Sequence, residues 1–272
     1  MNIFALDILR LQFTLEATDH INLPNYKGSA FHGGFGHALK TISPTWFNYF
    51  FQTEIETGNQ KPKPFVLLPP LDNQQTYQPG ETFSCELTLF AEATQHYAIA
   101  QAGIEYLGRE MGLGYSRGKF KVKSIEKSTF TPTENTTQKI TLYLLSRLRL
   151  KSNNQLQRQT PEFSLLIARL LGRLKTLQQS YSDVAIDEQL YRQLLQQAQE
   201  IQTTQSNTHW DDWDRYSGSQ HEWMKFGGLL GDINYQGNLQ AFIPYLQMGE
   251  WTHVGGKSSF GLGKYTISYG EE

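Results

Sequence analysis

A chain of 272 residues with 39% hydrophobic, 13% aromatic and 18% charged residues has the composition of a globular protein, not a disordered or fibrous one. Its 24 Lys and Arg against 26 Asp and Glu leave a formal net charge of −2, which excludes a generally basic nucleic-acid binder. Such a partner must instead be met by local arrangement of charge. Cys85 is the single cysteine, so a disulfide framework and a thiolate zinc cluster are excluded as well.

In chain order, the first strand is expected around Ile3–Leu15, followed by a break at Leu23–Gly28. A short helix then runs to about Ile42, with Phe31, Phe35, Ala38 and Ile42 close to one face. Strands follow near Phe65–Leu68 and Thr82–Phe90, where Cys85 alternates with Phe83, Leu87 and Leu89 as a core residue. A helix at Gln95–Leu107 and a strand at Arg117–Ile125 complete a β-α-β-β-α-β unit, the ferredoxin-like order. The Ser/Thr-rich stretch Ser128–Gln138 reads as a linker between a first domain, 1–127, and a second, 139–272.

The second domain opens with a strand at Lys139–Lys151, with Ile140, Leu142, Leu144, Leu148 and Leu150 on one face. A helix starting at an N1-type Pro161 carries Phe163, Leu166, Ile167, Leu170, Leu171, Leu174 and Leu177. A second helix spans about Asp187–Ile201. Strands near Trp213–Ser217 and Phe226–Tyr235, a short helix near Leu239–Leu246 and a strand near Lys264–Tyr269 follow. Gly112-Leu113-Gly114 and Gly261-Leu262-Gly263 precede the last strand of each half, an echo that fits a duplicated α+β unit.

Charge is unevenly placed. Arg117, Lys119, Lys121 and Lys123 alternate with Gly118, Phe120 and Val122, and Arg147, Arg149 and Lys151 repeat the pattern. Period two predicts one cationic face on each strand, either a solvated surface or an anion-facing one. Lys139–Lys175 holds eight Lys/Arg and one acid, whereas Ser182–Glu222 holds eight acids and two Arg. That asymmetry is compatible with one RNA-facing side.

The most specific segment is Gly249-Glu250-Trp251-Thr252-His253-Val254-Gly255-Gly256-Lys257-Ser258-Ser259-Phe260-Gly261-Leu262-Gly263-Lys264-Tyr265. Its glycines allow close backbone approach to a phosphate, while Lys257, Ser258, Ser259 and Lys264 add donors. It is not a Walker loop, because the Gly-x-x-x-x-Gly-Lys-Ser/Thr order is absent. A tight turn with a bulge before an edge strand is the bland alternative.

The segment resembles the carboxy-terminal glycine-rich signature of the RAMP proteins and, more narrowly, of the CRISPR precursor-RNA-processing endoribonucleases of the Cas6 family. Gly33-Gly34-Phe35-Gly36-His37 is similar to that family's amino-terminal helix. Leu148-Arg149-Leu150-Lys151 resembles the strand opening its second domain, and Arg215-Tyr216-Ser217 with Gly227-Gly228-Leu229-Leu230-Gly231 its later strand pair. The resemblance implies tandem ferredoxin-like domains with RNA along their cleft. It also implies metal-independent cleavage of CRISPR repeat RNA by 2′-hydroxyl attack, leaving a 2′,3′-cyclic phosphate and a 5′-hydroxyl.

Such chemistry needs a base, an acid and positive charge at the phosphorus. On a helix, Gly33, His37 and Lys40 point away from Phe35, Ala38 and Ile42, with His32 on the flank. His37 is the expected general base and Lys40 the charge stabiliser. His32 and His253 are further candidates, and Tyr26 and Lys27 possible assistants; a surface histidine that only meets solvent or RNA is the alternative. RNA contacts are expected from Lys257, Ser258, Ser259, Gly261, Gly263 and Lys264, and from Arg117, Lys119, Lys121, Arg147 and Arg149.

No cofactor is expected and no metal set is visible. His32 and His37 are split around a helix, and Asp211, Asp212 and Asp214 adjoin tryptophans in a solvated turn. No stretch approaches the ~20 apolar residues of a membrane helix. The first residues lack a basic segment followed by a long apolar run, so a cytoplasmic protein without a membrane partner is expected. Two other readings compete. One is a non-catalytic RAMP subunit of a CRISPR effector complex. The other is a ferredoxin-like protein that binds a small molecule.

Overall fold

The computed structural model describes residues 3–51, 61–212, 214–217 and 222–270. The first unit runs β1 (Ile8–Ala17), α1 (Gly28–Ile42), α2 (Pro44–Phe51), β2 (Phe65–Leu68), β3 (Thr82–Phe90), α3 (Tyr97–Tyr106) and β4 (Phe120–Thr129). Its antiparallel sheet has the order β2-β3-β1-β4. The second unit runs β5 (Lys139–Leu148), α4 (Phe163–Tyr181), α5 (Glu188–Gln197), β6 (Gln202–Asp211), β7 (Gly228–Gln236), α6 (Ile243–Thr252) and β8 (Tyr265–Tyr269). Its sheet order, β6-β7-β5-β8, repeats the first. Each unit is ferredoxin-like, and the chain is the α+β tandem that its periodicity predicts.

The alternation in β1 buries Leu11, Phe13, Leu15 and Ala17 against the helices. With glycines at positions 28, 33, 34 and 36, α1 is intrinsically weak, since each costs about 1 kcal/mol relative to alanine. Burial of Phe31, Phe35, Ala38 and Leu39 holds it. At Gly34 and Gly36 a side chain would strike Leu107 and Phe51 within 3 Å, so the helix packs there by its backbone.

Several elements differ from expectation. β6 escapes the periodicity because Gln202–His209 is polar on both faces; it is an exposed edge strand held by β7. A hairpin of Asp214–Ser217 and Glu222–Lys225 occupies the expected strand region; Trp213 and His221 lie outside the described residues. Pro161 precedes the N-cap residue Glu162 of α4 and is not at N1. The expected 239–246 helix starts at Ile243 and absorbs Gly249-Glu250-Trp251-Thr252. β4 starts at Phe120 and continues to Thr129, into the expected linker.

The four alternating cations do not share a strand face. Arg117 sits in a turn at φ +50°, before the strand. A bulge between Thr14 and Leu15 then shifts the β4 register, so inward positions pass from Phe120 and Val122 to Ile125. Lys121 and Lys123 answer Glu16 at 2.7 and 3.4 Å, which explains how two adjacent cations coexist.

The boundary between the units is crossed by side chains. Ile3, Phe4, Leu6 and Ile8 join the core of the second unit, and the Ala5 amide donates to Gln178 Oε1 at 2.8 Å. Arg10 meets Glu86 at 3.3 Å and lies 3.8 Å over the Trp251 ring. Among the described residues, no helix is long and apolar enough to cross a membrane.

Candidate nucleic-acid interface

The glycine-rich loop after α6 is shaped by five left-handed or otherwise positive φ values, at His253, Gly255, Lys257, Gly261 and Gly263. A Cβ at Gly263 would stand 1.9 Å from the Val254 carbonyl oxygen, so only glycine fits there. The loop is tied to the end of β5: the Gly256 amide donates to the Arg149 carbonyl at 2.8 Å, and Ser146 Oγ donates to the Gly261 carbonyl at 2.7 Å. It also docks on the first unit, where Tyr26 hydroxyl donates to the Phe260 carbonyl. The His32 ring stacks on Phe260 at 3.7 Å and 17°.

These contacts correct several expectations. His32 is buried between Phe260, Phe65 and Phe51 and serves packing between the units, so it faces no open groove. Tyr26 is engaged with Phe260, and Lys27 is buried with its ammonium on Asp72 at 2.5 Å; neither is poised for chemistry. Lys264 is turned inward: it donates to the Glu250 carbonyl at 2.7 Å and lies 3.8 Å from Glu86, and burial pushes its pKa down. His253 is fully buried beside the Leu262 carbonyl; burial first, then nearby Lys264 and Arg173, holds its imidazole neutral. Gly261 and Gly263 are buried turn residues, and Ser258 is buried too. Arg147 is held by Asp211 at 2.5 Å. Trp210 Nε1 donates to Asp212 at 2.7 Å, so these acids are structural partners.

Outside the loop, two adjoining cavities of about 650 and 290 Å³ share Pro62, Arg173, Gly255 and Lys257. Their walls carry Lys61, Lys63, Arg149, Lys151, Arg169, Arg173 and Lys257 and, among the described residues, no acid. Arg169 and Arg173 are four apart on α4 and so share a face. Arg173 donates Nε to the Thr252 carbonyl at 3.0 Å and, among the described residues, meets no carboxylate; burial pushes its pKa down to about 10. Burial likewise lowers Arg149, which donates to the Gly227 carbonyl, and Lys63, which donates to the Phe51 carbonyl at 2.7 Å. Cations withdrawn from water without acids mark a groove built for an anion. Arg149 and Lys257 were expected here from the sequence, whereas Lys61, Lys63, Arg169 and Arg173 were not. For Arg169 and Arg173 the excess of cations over 139–175 was the available signal.

A second groove, of about 560 Å³, lies along α1. Ser29, Gly33 and His37 line it at successive turns, opposite the segment from Leu107 to Tyr115 and Arg117. His37 is exposed there, and Ser29 Oγ is buried with no hydrogen-bond partner among the described residues. Gly33 is the bare point of the wall, because an added Cβ would meet nothing within 4 Å. Arg117, expected as a strand cation, instead reaches this groove from its turn. Lys40 does not line it; its ammonium lies 5.8 Å over the Phe47 ring. Lys119 and Lys121 line a separate basin of about 450 Å³ with Arg109 and Glu105. Among the described residues, no three His, Cys, Asp or Glu side chains are grouped so as to hold a metal ion.

Two ferredoxin-like units locked together by a glycine-rich loop, with a cationic groove beside it, define a tandem ferredoxin-like protein built to meet an anion. Residues 142–265 match the family model described as CRISPR-associated endoribonuclease Cas6. Residues 6–153 match a family model described as an N-terminal domain, AF_1859_N. Over residues 142–265 the chain is similar to the Cas6 endoribonucleases. Among solved structures, a product complex of Thermus thermophilus Cas6 is similar at 15% identity, covering 96% of this chain and 100% of that one, with a TM-score of 0.68. A partial Cas6-RT-Cas1–Cas2 complex matches at 16% identity over 99% of this chain and 47% of that one, with a TM-score of 0.67. An RAMP protein binding different RNA substrates matches at 13% identity over 96% and 99%, with a TM-score of 0.54. At these identities the likeness shows the fold. No curated protein matches the chain in sequence.

Proposed function

We propose that the chain binds CRISPR repeat RNA and processes its precursor by metal-independent cleavage within the repeat. The observation that carries this reading is the α1 groove, where a histidine, an arginine and a bare glycine wall face one space. His37 takes the proton of the 2′-hydroxyl as its oxygen attacks the adjacent phosphorus. The P–O5′ bond breaks, solvent protonates the departing 5′-oxygen, and a 2′,3′-cyclic phosphate and a 5′-hydroxyl result. Arg117 offsets the charge that builds on the phosphoryl oxygens. The groove of Arg149, Arg173 and Lys257 holds the flanking backbone, which supports sequence-tolerant phosphate contacts there. The cytoplasmic setting, where precursor RNA is made, belongs to the same reading.

A non-catalytic subunit of a CRISPR effector complex is the second reading. It is favoured by one fact: the cationic groove is lined without any contribution from His37. The test is incubation of end-labelled repeat RNA with wild type and His37→Ala in excess EDTA. A single cut by wild type alone, ending in a cyclic phosphate, supports the enzyme. Tight binding with no cut by either protein supports the scaffold.

A further inference from the structure

Among the described residues, the most exposed large hydrophobic side chain is Tyr115, at 78% against 52% for Val184. It stands on the rim of the α1 groove, across from Gly33 and His37. A tyrosine left this far out contributes nothing to the core, so packing gives no reason for an aromatic ring at that place.

The backbone beneath it is fixed. The Tyr115 amide donates to the Asn22 carbonyl at 2.9 Å, and Ser116 Oγ donates to the His20 carbonyl at 3.0 Å while accepting from the Asn22 amide at 3.2 Å. Leu113 and Gly118 exchange amide bonds across the base of the turn at 2.9 and 3.1 Å. A Cβ at Gly114 would stand 2.0 Å from the Asn22 carbonyl oxygen, so the turn lies directly on the segment it is tied to. Arg117 adopts φ +50° at the turn's exit, a conformation that a non-glycine residue holds only where its surroundings enforce it. A rigid turn thus presents a solvated ring and a guanidinium to the groove that holds His37.

We propose that Tyr115 is the stacking platform for an unpaired nucleobase next to the scissile phosphate, with Arg117 on that phosphate. The inference rests on the proposed RNA-cleaving function and adds a specificity element to it. Every base offers a π-face, and the preset ring loses little freedom on stacking. The chemistry also asks for it. In a stacked A-form strand the 2′-oxygen is not in line with the departing 5′-oxygen, so one base must leave the stack for attack to occur. A ring that captures the displaced base holds the in-line arrangement. The substrate class is therefore RNA with at least one unpaired nucleotide at the cut.

The test is a cycle between Tyr115→Ala and RNAs carrying one abasic site at each nucleotide flanking the cut, read by single-turnover cleavage and by anisotropy. Tyr115→Ala should lower kcat/KM on intact RNA by about tenfold, and Tyr115→Phe should restore it. At one flanking position, removal of the base should lower wild type to the level of Tyr115→Ala, with no further loss when the two changes are combined. Equal losses on every abasic RNA, or no loss on intact RNA, would overturn the assignment. If wild type binds but cuts none of these RNAs, the cleavage reading fails by itself. The anisotropy cycle then still decides whether Tyr115 holds a base.

Discussion

Replacing Gly33 with alanine should move stability and activity in opposite directions. Gly33 lies inside α1, and an alanine methyl there would meet no atom within 4 Å, so the change brings no clash. Alanine is favoured over glycine in a helix interior by about 1 kcal/mol, which for a chain of this size raises Tm by about 2 °C. A position where the chain gains by acquiring a methyl, yet carries glycine, is explained if something else needs the space. The methyl would project into the groove beside His37 and push an RNA backbone outward by about its own radius. A misplacement of ~1 Å at a reacting centre costs about 100-fold in rate. Thermal unfolding followed by circular dichroism reads the first effect, and single-turnover cleavage of repeat RNA reads the second. A more stable Gly33→Ala protein that cuts at the wild-type rate would refute the idea that RNA passes over Gly33.

Arg173→Met keeps the aliphatic stem but removes the half-buried guanidinium that meets no carboxylate among the described residues. It should weaken repeat-RNA binding by about tenfold and flatten the log–log salt dependence by about 0.7, as expected for one lost phosphate contact to a single strand. Arg173→Lys should recover most of the slope; filter binding from 50 to 300 mM salt reads both. His253 is buried neutral, with a folded pKa well below that of the unfolded chain near 6.5. As pH falls below about 6.5 only the unfolded state gains this proton, so stability drops by up to about 1.4 kcal/mol per pH unit and is fully present above that range. Urea unfolding between pH 7.5 and 5 should therefore be flatter for His253→Gln than for wild type, even though the variant is less stable throughout.

The tandem fold is legible because both cores declare themselves locally, in the alternation of β1, β3 and β5 and the helical spacing of Phe163 to Leu177. β6 is illegible because an exposed edge strand such as Gln202–Asp211 has no buried face to impose alternation. The α1 polar face with His37 on it was readable, but the burial of His32 on its flank was not. His32 is claimed by Phe260, which lies 228 positions away and arrives only through docking of the units. Lys264 failed for the same reason: its place in the glycine-rich run suggests an exposed donor, but Glu86 and the Glu250 carbonyl draw it inside. Arg173 was hidden because its helix reads as core. The groove it serves exists only where α4, residues 61–63 and the glycine loop meet.

The most direct test of the whole account is to measure binding and cutting of one repeat RNA side by side for wild type, His37→Ala and Lys257→Ala, in excess EDTA. Wild-type affinity without cleavage is expected for His37→Ala, and weakened affinity with cleavage restored at saturating protein for Lys257→Ala. Undiminished cutting by His37→Ala, or an equal loss of binding in both variants, would contradict the separation of a cutting groove on α1 from a holding groove at the glycine loop.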